Sequence, residues 1–338
     1  MPMAVSRLGV DKKTAANGKE STHNKTNHVT RLGLPSGSLG DLSLDHNMFN
    51  GTFIETIGGL SNLEILSLGS NHLEGIITEN HLTNFSRLNY LDLSYNSFVS
   101  MQFSSHWVPP FQVEELYLAR CKLGPEFPKW LRTQKQLRYL DISSAQISDT
   151  IPNWFGNQSL SLVYLNASCN QIYSFFPDIS FSNNQNRSGR GALDLSRNQI
   201  SGSVTFLCGI STLSIDLSDN LFSGQVPDCF ANIQSLRYVN LANNGFTDGV
   251  NLMWKGTEVD YKNGLGLVKL INLSSNNLVG KIPSEITKLD DLIGLNLSRN
   301  KLTGSIPQDI GRMMALNFLD FSRNHLSGGI PTSLSELS

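Results

Sequence analysis

Two apolar residues separated by one position, followed by asparagine three positions after the second, recur along most of the chain. The unit is read as Leu42/Leu44/Asn47, Leu66/Leu68/Asn71, Leu91/Leu93/Asn96, Leu165/Ala167/Asn170, Leu193/Leu195/Asn198, Ile215/Leu217/Asn220, Val239/Leu241/Asn244, Ile271/Leu273/Asn276, Leu295/Leu297/Asn300 and Leu319/Phe321/Asn324. Two further units keep the apolar pair (Leu116/Leu118 and Leu140/Ile142) but hold Cys121 and Ala145 in the asparagine slot. The slots are 24, 25, 25, 24, 25, 28, 22, 24, 32, 24 and 24 residues apart. Proline checks the register: Pro128, Pro152, Pro177, Pro227, Pro283, Pro307 and Pro331 each stand seven residues after a slot.

A unit of this size cannot bury its apolar face alone and must stack on copies of itself. The fold class expected is therefore an α/β repeat solenoid. It is a leucine-rich repeat horseshoe or superhelix with a parallel β-sheet on the concave face and about 12 repeats of 24 residues. The apolar–x–apolar step predicts a short strand with alternate side chains in the core. The asparagine amide is expected to turn inward and satisfy backbone groups that no ladder reaches. Cys121 can do this weakly; Ala145 cannot, at a cost of about 1 kcal/mol. The Gly-x-Ile-Pro stretch predicts extended backbone on the non-strand side of each coil.

The periodicity divides the chain. Residues 1–39 read as a degenerate N-terminal cap or tail, 40–250 as repeats, 251–264 as a loop, and 265–338 as C-terminal repeats cut mid-repeat. Both ends read as cut, which favours a fragment or a truncated product. No apolar run approaches the roughly 18–20 residues of a membrane helix, and the first residues carry no continuous apolar signal region. With 26 Lys+Arg against 28 Asp+Glu, the net charge of −2 excludes a strongly basic nucleic-acid binder.

Outward positions on the concave strands are the candidate ligand surface. Tyr90, Tyr139 and Tyr164 stand six residues before their slots, as do Tyr238 and Phe318; Tyr95, Tyr117 and Arg120 lie in the same strands. Tyr and Arg are typical interface anchors, and binding is expected within the 90–164 cluster. Asp92, Asp141, Asp194, Asp216 and Asp320 sit between the paired apolar residues. Asp194 and Asp216 fall in adjacent coils, close enough for a glycosidase pair, but a repeat consensus explains them without catalysis, so no catalytic residue is expected. No P-loop, HExxH, EF-hand or CxxC pattern occurs, so no metal and no cofactor is expected.

Cys208 and Cys229 are 21 residues apart, nearly one coil, which would let neighbouring coils bring them into disulfide range. Cys121 and Cys169 are expected to be buried thiols. Eight Asn-x-Ser/Thr triplets, at Asn24, Asn50, Asn84, Asn157, Asn166, Asn186, Asn272 and Asn296, are candidate glycosylation sites. Asn166, Asn272 and Asn296 fall on concave strands. The eight extra residues of the longest interval lie in 251–263, with Trp254, Lys255 and Tyr261 as exposed-type residues; solenoid insertions map to loops and often to binding faces.

The segments Cys121-Lys-Leu-Gly-Pro-Glu-Phe-Pro-Lys-Trp130 and Leu140-Asp-Ile-Ser-Ser-Ala-Gln-Ile-Ser-Asp-Thr-Ile-Pro-Asn-Trp154, and the stretch Trp254–Lys269, resemble plant leucine-rich repeat receptor-like proteins, in particular the receptors for fungal ethylene-inducing xylanase. The resemblance covers most of residues 41–338. It implies a plasma-membrane receptor without a kinase, facing the cell exterior. Such a receptor binds a pathogen-derived or endogenous ligand, by protein–protein or peptide or glycan recognition, and recruits membrane co-receptor kinases to start defence signalling. Trp254, Lys255 and Tyr261 match the end of the family's island region, on the expected co-receptor side. The family's paired-Cys/Trp cap, most of its island, and its membrane helix have no counterpart here. Two other functions compete with a receptor ectodomain or fragment. One is a secreted inhibitor of microbial cell-wall hydrolases, similar to polygalacturonase-inhibiting proteins; the other is a decayed receptor copy that does not signal.

Overall fold

The computed structural model describes residues 39–52, 57–96, 98–158, 162–177, 191–210, 212–227, 236–248 and 268–337. All twelve repeat units form a strand. These are Asp41–Ser43, Ile65–Ser67, Tyr90–Asp92, Glu115–Tyr117, Tyr139–Asp141, Tyr164–Asn166, Ala192–Asp194, Ser214–Asp216, Tyr238–Asn240, Leu270–Asn272, Gly294–Asn296 and Phe318–Asp320. They pair in chain order as one parallel sheet. The register is constant, so the first, second and third residues of each strand stack on those of the next coil. The middle residue points inward; Leu66, Leu116, Leu140, Leu193 and Leu295 are fully buried. The sheet continues across 251–264, because Tyr238–Asn240 pairs with Leu270–Asn272.

The asparagine slot works as expected. The Asn96 amide nitrogen donates to Leu93 O (3.0 Å) and Ser94 O (3.4 Å) of its own coil and to Leu68 O of the preceding coil (3.0 Å). Its amide oxygen accepts the preceding coil's Leu73 N–H at 3.0 Å. The same set recurs at Asn198, Asn220 and Asn276, among others. Cys121 keeps one bond, its thiol donating to Leu93 O at 3.2 Å.

At Ala145 the main chain corrects the expected deficit. Leu123 N–H, whose counterparts in other coils reach the next asparagine side chain, donates to Ala145 O at 3.0 Å. Ala145 N–H and Ile147 N–H both donate to the Asn170 amide oxygen at 3.0 Å. The coils approach so closely here that a Cβ on Gly124 would meet Gln146 O at 1.8 Å; the Gly124–Pro125 peptide is cis.

The opposite side of the coils differs from the expectation of a non-strand face. Residues following the slot form three further parallel sheets. The first holds Asn50–Thr52, His72–Ile77 and Phe98–Met101. The second holds Tyr173–Phe175, Gln199–Gly202, Leu221–Gln225 and Gly245–Asp248. The third holds Val279–Lys281, Lys301–Gly304 and His325–Leu326. Coils held at strand spacing by the first sheet bring these extended segments into pairing distance as well. The series breaks around residues 122–150, where only isolated bridges remain, next to the rearranged Gly124–Ala145 contact. Pro128, Pro283 and Pro331 each cap the short 3-10 helix that follows, where a fixed φ and a missing N–H cost nothing. Trp130 and Trp154 pack on this side: Trp130 is buried, and Trp154 meets Phe127 and Phe155 edge-on.

Candidate functional site on the concave face

Each coil leaves its concave strand through one residue in the left-handed region, immediately before the slot. Tyr95, Arg120, Ser144, Cys169 and Arg197 have φ between 54° and 63°. For a non-glycine residue this costs roughly 1–2 kcal/mol. It is offset by an inter-coil ladder: Tyr95 N–H donates to Ala119 O at 2.7 Å, Arg120 N–H to Ser143 O at 2.8 Å and Cys169 N–H to Ser196 O at 2.9 Å. The turn swings the next residue into the core and leaves these side chains outside. Tyr95 and Arg120 are exposed. Cys169 is exposed as well, which corrects the expectation of a buried thiol: it precedes the inward slot and does not occupy it. Cys121, in the slot itself, is buried, and burial pushes its thiol up to about 12.

Three columns therefore run along the sheet. The first strand residues give Tyr90, Glu115, Tyr139 and Tyr164 in register; the third give Asp92, Tyr117, Asp141, Asn166, Asp194 and Asp216. The left-handed turns give Tyr95 and Arg120. The structure thus brings together all six tyrosine and arginine residues expected from the sequence.

The tyrosine rings lie across strands. Tyr90 and Tyr117 are 5.6 Å apart with planes tilted by 48°. The Tyr117 hydroxyl donates to Glu115 at 2.8 Å. The Arg120 guanidinium lies 5.3 Å from the Tyr95 ring centre, and that of Arg138 lies 5.9 Å from the Tyr139 ring while pairing with Glu114 at 2.8 Å. Glu115 and Arg138 were not singled out by sequence. Their signal was their offset from the slot, which puts Glu115 in the tyrosine column.

The carboxylates of the middle column are held by an asparagine-like turn. Asp141 accepts Ser143 N–H at 2.9 Å and faces the Asn166 amide nitrogen at 3.4 Å; Asp194 accepts Ser196 N–H at 3.0 Å. Burial raises both carboxyls above the usual range; the bonds from Ser143 and Ser196 oppose this, and the charges of Asp92, Asp216 and Asp141 add to it. Burial likewise raises the Tyr117 and Tyr164 hydroxyls.

The candidate glycosylation sites divide by position. Asn166, Asn272 and Asn296 lie in the middle column, and their amide oxygens accept the N–H of the serine in their own triplet at 3.0–3.2 Å. Asn50 is exposed on the opposite side, and exposed Asn84 donates to Gly58 O at 2.8 Å. Asn157 lies in the helix Asn153–Gln158. Cys208 is disulfide-bonded; its expected partner Cys229 lies outside the described residues, as do Asn24, Asn186, Trp254, Lys255 and Tyr261. Among the described residues no helix is long and apolar enough to cross a membrane.

Leucine-rich repeat family models match residues 37–98 and, as single repeats, 136–158, 211–233, 268–289, 291–313 and 315–337. Receptor-like protein EIX2 of Solanum lycopersicum is 42% identical over 188 residues, which is 49% of this chain and 18% of that protein. Receptor-like protein EIX1 of the same plant is 46% identical over 132 residues, 39% of this chain and 12% of its own length. The matches thus span less than a fifth of these relatives. Among solved structures, the plant peptide hormone receptor RGFR1 in complex with RGF2 superposes with a TM-score of 0.72 at 24% identity, covering 88% of this chain and 45% of that one. The ectodomain of the Arabidopsis receptor kinase HAESA, solved with an extended IDA peptide hormone, gives 0.60 at 28% identity over 88% of this chain and 44% of that one. Repeat, fold and family models agree that this chain is a leucine-rich repeat protein, and its sequence is similar to plant receptor-like proteins.

Proposed function

We propose that the chain is the extracellular ligand-recognition part of a plant receptor-like protein in defence signalling. Its ligand, a pathogen-derived or endogenous protein or peptide, lies on the concave face between the Tyr90 and Tyr164 strands. The observation that carries this reading is the set of tyrosines, one or more on each of four successive coils, placed among carboxylates. Rigid aromatic side chains on a rigid sheet lose little entropy on binding, and rings with polar tips are typical anchors. The HAESA ectodomain, of the same fold, was solved with a peptide ligand. By similarity to the receptor-like relatives, the chain acts at the plasma membrane on its outer side. Signalling follows from recruitment of a membrane co-receptor kinase through the C-terminal coils and the segment holding Trp254, Lys255 and Tyr261.

The test is selection of a random peptide display library on the purified chain, repeated on the chain carrying alanine at Tyr90, Tyr117, Tyr139 and Tyr164. Peptides enriched by the first and lost by the second are expected. An enriched set retained by the tyrosine-free variant contradicts the concave site.

A further inference from the structure

Within the middle column, three carboxylates stand on alternate coils before Asp216 follows Asp194 directly. Asp92, Asp141 and Asp194 are separated by Tyr117 and by Asn166, in unbroken register. Neighbouring strands lie about 4.8 Å apart, so successive carboxylates recur about every 9.6 Å along the solenoid. A peptide laid along the column must present like side chains to the same face at that repeat. A fully extended peptide does not: residues facing one side recur about every 6.6–6.8 Å, which matches neither one coil nor two. An α-helix repeats every 5.4 Å. A polyproline II helix has three residues per turn and a rise of 3.1 Å, so side chains i, i+3 and i+6 share a face at about 9.3 Å spacing. The surface beside the carboxylates suits that conformation. Tyr139 and Tyr164 flank the column on adjacent strands and Tyr117 lies within it, and aromatic-lined surfaces are what proline-rich helices dock against. The charge selects the cation: Arg138 is already paired with Glu114, and Arg120 sits at the rim over Tyr95.

We propose that the concave face between the Tyr90 and Ala192 strands binds a proline-rich segment in polyproline II conformation with Lys or Arg at every third residue, one basic side chain each to Asp92, Asp141 and Asp194. This rests on the ligand-binding reading above, extends its site by one coil to Asp194 and narrows it to one ligand chemistry. Each cationic head meets a carboxylate already oriented by its serine, and the intervening prolines lie on tyrosine rings, so the surface reads spacing as well as charge.

Fluorescence anisotropy with labelled peptides tests it on the full chain. The probes are Ac-(Lys-Pro-Pro)4-NH2, an isomer of identical composition with its lysines grouped at one end, and Ac-(Glu-Pro-Pro)4-NH2. The periodic lysine peptide is expected to bind at least tenfold tighter than its isomer, and the glutamate peptide not to bind. Asp141→Ser is expected to weaken the periodic peptide about tenfold. Serine already occupies this column at Ser43 and Ser67, and this change creates no glycosylation triplet, as asparagine would before Ser143. Asp320→Ser, at the far end of the column, is expected to leave binding unchanged. Equal affinity for the two lysine isomers, binding of the glutamate peptide, or equal effects of Asp141→Ser and Asp320→Ser would overturn the proposal. Library selection separates this from the broader reading. If tyrosine-dependent peptides emerge without a basic residue at every third position, the narrower proposal falls and the concave site stands. If no tyrosine-dependent peptide emerges, both fall.

Discussion

A single amide carries the repeat. From Asn71 onward, each slot asparagine ties its own coil to the one before it through at least four hydrogen bonds, whereas exposed Asn47 bonds only within its own coil. Asn276 accepts Phe246 N–H and donates to Leu241, Leu273 and Ser274 carbonyls at 2.9–3.2 Å. Asn276→Ala is expected to cost about 2–4 kcal/mol, because buried backbone groups lose their partners; denaturant unfolding measures it. Ala145→Asn is expected to gain less than about 1 kcal/mol, because Leu123 N–H already has a backbone acceptor there. The asparagine slot was fully legible in the sequence, since its spacing and chemistry point to one role. The Ala145 rearrangement was not, because it depends on how two coils settle around Gly124. The carboxylates behave differently. Burial raises the folded-state pKa of Asp141 and Asp194, so the stability they contribute is present below the unfolded carboxyl value of about 3.9 and is lost as pH rises through the folded values. Asp320, held below its usual range by Ser322, has the opposite sign: its contribution is lost as pH falls through its folded value. Asp141→Ser should therefore change Tm more favourably at pH 7 than at pH 4, measured by calorimetry. An equal change at both values would show that the charge of Asp141 does not matter to folding.

At the scale of the element, every described coil but those of Cys121 and Ala145 is two short strands joined by turns of fixed geometry. The concave strands were readable because their apolar–x–apolar step has the period of a strand and sits at a fixed distance from the slot. The second set of strands was not, because its residues pair only after stacking has aligned the coils. Tyr173–Phe175 carries two exposed aromatics and has no inward alternation of leucines to betray it. The outward columns were readable as positions, and all six expected tyrosine and arginine residues fall in them. The carboxylates between them had a consensus explanation that hid their alternation with Tyr117 and Asn166. Exposed Cys169 was misread for a related reason: one residue beside the slot reverses the side chain's direction. Turn geometry also makes a prediction. A Cβ at Gly124 would meet backbone, not a movable side chain. Gly124→Ala is thus expected to cost about 1–3 kcal/mol, with the loss centred on the coils 116–150 in hydrogen exchange.

The whole molecule is a stack in which each coil touches mainly its neighbours, so its stability is close to a sum of coil and interface contributions. Leu295→Ala, at a fully buried strand centre, should cost about 2–5 kcal/mol. Hydrogen exchange should rise in residues 268–337 and stay unchanged near 65–96. A uniform rise would mean that the chain unfolds as one unit. The same architecture fixes the binding account, since a rigid sheet presents its columns without rearrangement. Hydroxyl-radical footprinting of the chain with a peptide selected on it tests that account most directly. Oxidation of Tyr90, Tyr95, Tyr139 and Tyr164 is expected to fall on binding, while exposed Tyr173 and Phe175 on the other side are oxidised as before. Protection of Tyr173 and Phe175 with the concave tyrosines unchanged would contradict it and move the ligand to the opposite face.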